Sequence, residues 1–290
     1  MNVTLDIFSG RPNPTWTLSE AEAKQLLDRV GDRAVLPSDA VEPILGFRGF
    51  VIEPSSDDQP LSSQATGLRI GGRPSAGFKL ESRAKPLTDE ETAETVRWLL
   101  STGEHATGDL HEILSATVLK ALQQHAPSEE AEVQKIPLRI PPPPCVIHNT
   151  PYNPGFWNRP NVQPYNNCYN YAMNYKSDTF AQPGRLSGHM YASIDCQSVG
   201  AAAAWDGCKT TCFGSNKLVA LVIWPHVDFH WYRRHSEGFW GHKPGGTAAR
   251  NTDNRGRLID GSVLTPANCD RGGYTIFCGY RFSPTGMHVS

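Results

Sequence analysis

Apolar positions recur with two different periods along this chain, and the change of period divides it. In the first part they return every three or four residues. Ala23, Leu26, Leu27 and Val30 share one face of a helix that Ser19 and Glu22 open as a capping box. Val96, Leu99 and Leu100 repeat that pattern behind Thr88 and Glu91. A third helix, 109–124, carries Leu110, Ile113, Leu114, Thr117 and Ala121 at helical spacing. Residues 2–8 read as a strand ending in the turn-rich Ser9-Gly10-Arg11-Pro12-Asn13-Pro14, and short strands are predicted at 47–53, 67–70 and 77–82.

The second part follows the acidic stretch 128–135 and the four prolines 141–144, a polyproline II spacer. That composition predicts a domain boundary and a mobile linker near 126–144. Beyond it the chain is rich in tyrosine, tryptophan, asparagine and glycine. Strands are predicted at 218–224, 229–234, 239–243 and 274–281, with one helix at 167–176. The expected fold is α+β in two domains, 1–135 and 145–290, the latter one helix packed on an antiparallel sheet.

The chemistry begins at Asn167-Cys168, which reads as an asparagine cap with a cysteine at the first helical position. A thiol there faces the positive end of the helix dipole, which predicts a lowered pKa. Downstream, His230 and Tyr232 alternate onto one strand face. Cysteine on a helix start with histidine on a distant strand is the arrangement of a Cys/His nucleophile pair. A three-residue loop at 236–238 would set 232 opposite 242 and bring His242 beside His230.

These residues resemble a family. Cys168-Tyr-Asn-Tyr-Ala172 is similar to the helix start of CHAP amidases. His230-x-Tyr232 followed by Gly238-x-x-x-His242-x-Pro-Gly245 resembles the histidine strands of NlpC/P60 peptidases. Both are papain-like cysteine hydrolases, and the resemblance spans about 165–245. It implies Cys168 as nucleophile, His230 as base and His242 as the polar orienter. The Asp-Cys-Ser usual in NlpC/P60 is Asn167-Cys168-Tyr169 here, and the chain shows no cell-wall-binding repeat. Asp253, in the Cys-His-Asp order of transglutaminases, is the rival orienter, and also a residue of strong turn chemistry. Gln163 is a candidate second oxyanion donor beside the Cys168 N–H. Tyr169, Trp231 and Trp240 are cleft or core residues. Arg233 and Arg234 fit either an acidic substrate or a solvated strand edge, and His189, His226 and His235 read as loop or surface residues.

The expected activity is therefore a cysteine-dependent amide hydrolase, a peptidase or amidase. Its alternatives are acyl transfer and a non-catalytic, disulfide-rich binding or toxin module. The expected partner is a peptide or amide substrate. No cofactor is called for, and zinc on Cys196, Cys208 and Cys212 lacks a matching second pair. A net charge of −2 gives no reason to expect nucleic acid or anionic membrane. No signal peptide is read at the start and no apolar run is long enough to span a bilayer, so the default compartment is the cytoplasm, with signal-independent export left open. Seven cysteines, all from Cys145 onward, complicate that default. Cys269 and Cys278 are the expected disulfide pair.

Overall fold

Both expected capping boxes form. Ser19 and Thr88 each accept from the backbone N–H three residues on, while Glu22 and Glu91 reach back to the caps. The computed structural model describes residues 1–31, 33, 35–37, 40–54, 67–75, 86–123 and 145–290. The predicted strand 77–82 and the linker 126–144 lie outside them.

The described chain divides into two units, one of Met1–Ile7, Asn13–Glu42 and Gly46–Pro127, the other of Phe8–Pro12, Pro43–Leu45 and Ser128–Ser290. In the first unit, strands β1 (Asn2–Asp6), β2 (Thr15–Thr17), β3 (Leu36–Pro37), β4 (Gly49–Glu53) and β5 (Leu68–Ile70) form an antiparallel sheet in the order β2-β1-β4-β5-β3. Helices α1 (Glu20–Val30), α2 (Asp89–Thr102), α3 (Glu104–Thr107) and α4 (His111–Gln123) accompany it. Val3, Leu5, Phe50, Val96, Leu99, Leu114 and Val118 are wholly buried, whereas Leu27 and Ile113 of the expected stripes are exposed. One buried ionic group interrupts the core. Asp6 accepts from Arg48 Nε and Nη2 at 3.0 and 2.7 Å and from Arg69 Nη1 at 2.8 Å.

The second unit contains β6 (Cys145–Ile147), α5 (Pro154–Trp157), α6 (Cys168–Met173), α7 (Cys196–Trp205), β7 (Gly214–Trp224), β8 (Asp228–Arg234), β9 (Trp240–His242) and β10 (Ile276–Pro284). The sheet runs β10-β7-β8-β9 with antiparallel neighbours, and β6 adds to β7 in parallel. The mixed α+β class with antiparallel sheets thus stands. The short α5 and the longer α7 lie outside the one helix expected in this unit. α7 is capped by Asp195, whose carboxylate accepts from Ser198 N, and carries a run of four alanines, the strongest helix former.

The disulfides differ from the expected pair. Cys145 is bonded to Cys212 and Cys196 to Cys278, while Cys168, Cys208 and Cys269 are free and buried. Cys278 meets the start of α7, whereas Cys269 lies in a separate loop with its sulfur 3.8 Å from the Tyr232 hydroxyl. The same bridges remove Cys196 and Cys212 from the zinc set.

Candidate functional site

Asn167 builds the local structure around the cysteine. Its side-chain oxygen accepts from Tyr169 N and Asn170 N, Asn170 returns to Asn167 N, and Asn174 closes the helix in the left-handed region at φ 55°. Only six residues are helical, and all are buried. Cys168 Sγ meets β8 beyond the stretch that β9 covers. It lies 4.0 Å from the Phe229 carbonyl and accepts the Trp231 N–H, two backbone groups that flank His230.

The hairpin register is the expected one, with Tyr232 opposite His242. His230 Nε2 lies 2.9 Å from His242 Nδ1, and His242 Nε2 lies 2.9 Å from the Thr252 carbonyl. On its other side His230 Nδ1 meets the Ser9 hydroxyl at 2.5 Å, and that hydroxyl is also bonded to the Cys168 thiol. The order is Cys168, Ser9, His230, His242, Thr252.

A carbonyl only accepts, so Thr252 fixes the direction of this chain. His242 Nε2 must carry hydrogen. Burial pushes the His242 pKa down to about 3, so its imidazole is neutral at pH 7 and Nδ1 is a lone pair. His230 Nε2–H donates to it. With His230 neutral, its Nδ1 is then the lone pair aimed at Ser9, whose hydroxyl donates. The Ser9 oxygen accepts from Gly245 N at 3.3 Å, and the Ser9 side chain is also hydrogen-bonded to the Cys168 sulfur.

The thiol itself departs from expectation. Burial, then the Asp228 charge, push the Cys168 pKa up to about 12, outweighing the Trp231 and Ser9 hydrogen bonds and the Lys243 charge. A short helix start does not overcome desolvation at a sulfur with no exposure. Cys168, His230 and His242 are all at most 1% exposed.

The segment Phe8–Pro12 meets Cys168 and His230 through Ser9. Asp228 accepts the backbone N–H groups of Ser9, Gly10 and Arg11 at 2.6, 3.1 and 3.0 Å, plus the Tyr274 hydroxyl at 2.5 Å. Burial nevertheless raises the Asp228 pKa above its usual range. The Gly10 carbonyl receives two side-chain donors, Asn167 Nδ2 and Gln182 Nε2, each at 2.8 Å. Gln163 is not one of them; its carbonyl accepts from Lys243 Nζ at 2.5 Å.

Other expectations need correction. Asp253 is buried but serves its own turn, accepting from Arg257 Nε at 3.0 Å, Arg257 Nη2 at 2.8 Å and the Arg255 N–H at 3.0 Å. Arg233 is buried rather than solvated, with its guanidinium 4.7 Å from the Tyr171 ring centre. His235 is likewise buried, its Nε2 2.7 Å from the Tyr171 hydroxyl. Tyr169, Trp231 and Trp240 are fully packed side chains of the core. Ser9 and Gln182 were not singled out. Their contacts reach across 221 and 172 residues, a separation no local pattern encodes.

Among known proteins, the chain is 42% identical over 137 residues to insoluble matrix shell protein 1 of Ruditapes philippinarum, a match covering 46% of this chain and 90% of that protein. No family model and no solved structure matches the chain.

Proposed function

The chain belongs to the family of insoluble matrix shell protein 1, and we propose that it is a papain-like cysteine amide hydrolase held in a closed state. The observation that carries this reading is the directed chain that turns the Nδ1 of His230 toward Ser9, which lies between it and Cys168. Two imidazoles in series, fixed by one carbonyl, present a base toward the side chain of Cys168. With Ser9 withdrawn, the S–H proton passes to His230 Nδ1 and the thiolate attacks an amide carbon. The C–N bond breaks, His230 returns the proton to the leaving amine, and water hydrolyses the thioester. An amine in place of that water gives acyl transfer through the same intermediate.

Two disulfides and kinship with a shell-matrix protein support an oxidising, extracellular setting over the cytoplasm. Among the described residues no helix is long and apolar enough to cross a membrane. A second reading, a non-catalytic disulfide-braced matrix module, is favoured by the complete burial of the three side chains.

Labelling by an electrophilic amide-mimic probe separates the two. Once Arg11→Ala has loosened Phe8–Pro12, the hydrolase modifies Cys168 ahead of Cys208 and Cys269, and adding His230→Ala slows that modification. Equal labelling of the three thiols, or indifference to His230, leaves the matrix module.

A further inference from the structure

We infer that Phe8–Pro12 occupies the substrate path as a pseudosubstrate, so that the site takes an extended peptide with glycine on the acyl side of the bond to be cleaved. This rests on the hydrolase reading for its chemistry, but its geometry stands apart from it. The segment is held as a bound peptide is held. Asp228 gathers three successive backbone N–H groups, and Arg11 Nη1 donates to the Val227 carbonyl at 2.6 Å. The Gly10 carbonyl points at two converging amide donors, one of them on the residue before the cysteine. Such a pair is what a developing oxyanion requires.

The preference for glycine follows from space. A Cβ on Gly10 would lie 2.4 Å from the Phe229 ring and 2.6 Å from the Phe229 carbonyl oxygen. The ring can turn; the strand backbone cannot. Ser9 explains why the segment stays intact. Its hydroxyl proton fills the Nδ1 lone pair of His230, so the base cannot take the thiol proton while the segment is seated. A free peptide with another residue in place of Ser9 leaves that lone pair open. Attack would then join sulfur to the glycine carbonyl carbon and release the following residue as a free amine.

The test uses the full chain, with iodoacetamide labelling of Cys168 followed by mass spectrometry. Arg11→Ala loosens the segment from a partly exposed position and Gly10→Ala expels it by collision. Each is expected to raise the Cys168 labelling rate at least tenfold over wild type. Arg11→Ala keeps the test open if Gly10→Ala does not fold. Adding acetyl-Phe-Ala-Gly-Arg-Pro-amide should then protect Cys168 in the loosened variant, and the same peptide with alanine for glycine should not. Protection without cleavage of the peptide supports the pseudosubstrate and counts against the hydrolase. Cleavage of other amides without protection supports the hydrolase and overturns the pseudosubstrate. Equal protection by both peptides, or by neither, also overturns it.

Discussion

His242 Nδ1 stands 2.9 Å from His230 Nε2, and His242 Nε2 is spent on the Thr252 carbonyl, so the second histidine can only accept from the first. In the proposed hydrolase it would orient His230 and not take the proton. In an Arg11→Ala background, His230→Ala should therefore lower the rate of Cys168 acylation by about 10²–10⁴-fold, the usual worth of a general base. His242→Ala should lower it less, and Asp253→Asn hardly at all. Equal losses for His230 and Asp253 would reverse the assignment of the orienter.

The Cys168 thiol in the intact protein is set by burial, which pushes it to about 12. Its thiolate fraction below that value grows tenfold per pH unit. Alkylation of wild type should consequently rise about 100-fold between pH 7 and pH 9 without levelling off. A plateau near neutrality would mean that the thiolate already exists in the closed state.

Asp6 gives the first unit an acid-sensitive point. Burial alone would raise its pKa, but the Arg48 and Arg69 charges together outweigh burial and bring it from 3.8 to about 2. Because the folded value is depressed, the stabilisation is complete above 3.8 and is lost as pH falls toward 2. At about 1.4 kcal/mol per unit it amounts to roughly 2–3 kcal/mol. Urea midpoints should fall over that window in wild type and stay flatter in Asp6→Asn. The variant starts lower by about 3–5 kcal/mol, since two buried guanidinium groups lose their carboxylate.

Denatured without reductant, the chain should show three thiols, those of Cys168, Cys208 and Cys269. One thiol would mean a third bridge, and seven would remove both bridges. The loops closed by the two disulfides span 67 and 82 residues. In the chain-entropy model each is worth about 4 kcal/mol, so Cys196→Ala should lower stability by that order.

The sequence made some of this readable and hid the rest for physical reasons. Capping boxes are written within four residues, so Ser19 with Glu22 and Thr88 with Glu91 could be found directly. The pairing of Tyr232 with His242 followed from strand alternation and a tight turn, both local. Helix α7 carried a signal in Asp195, Ser198 and the alanine run, but Gly200 interrupts its pattern. Disulfide partners depend on where distant elements meet, and spacing alone suggested Cys269 for a bond that Cys196 makes. Thiol pKa was misread because helix position is local while burial is not. Ser9 lay in a conspicuous turn motif, yet its contact with His230 exists only in three dimensions.

The most direct measurement is release of p-nitroaniline from acetyl-Phe-Ala-Gly-p-nitroanilide by the Arg11→Ala chain, with intact-mass detection of the acyl group. The hydrolase reading predicts release accompanied by a thioester on Cys168, and loss of both in Cys168→Ala and His230→Ala. Absence of release from a folded variant with an accessible Cys168, or release that survives Cys168→Ala, would contradict it.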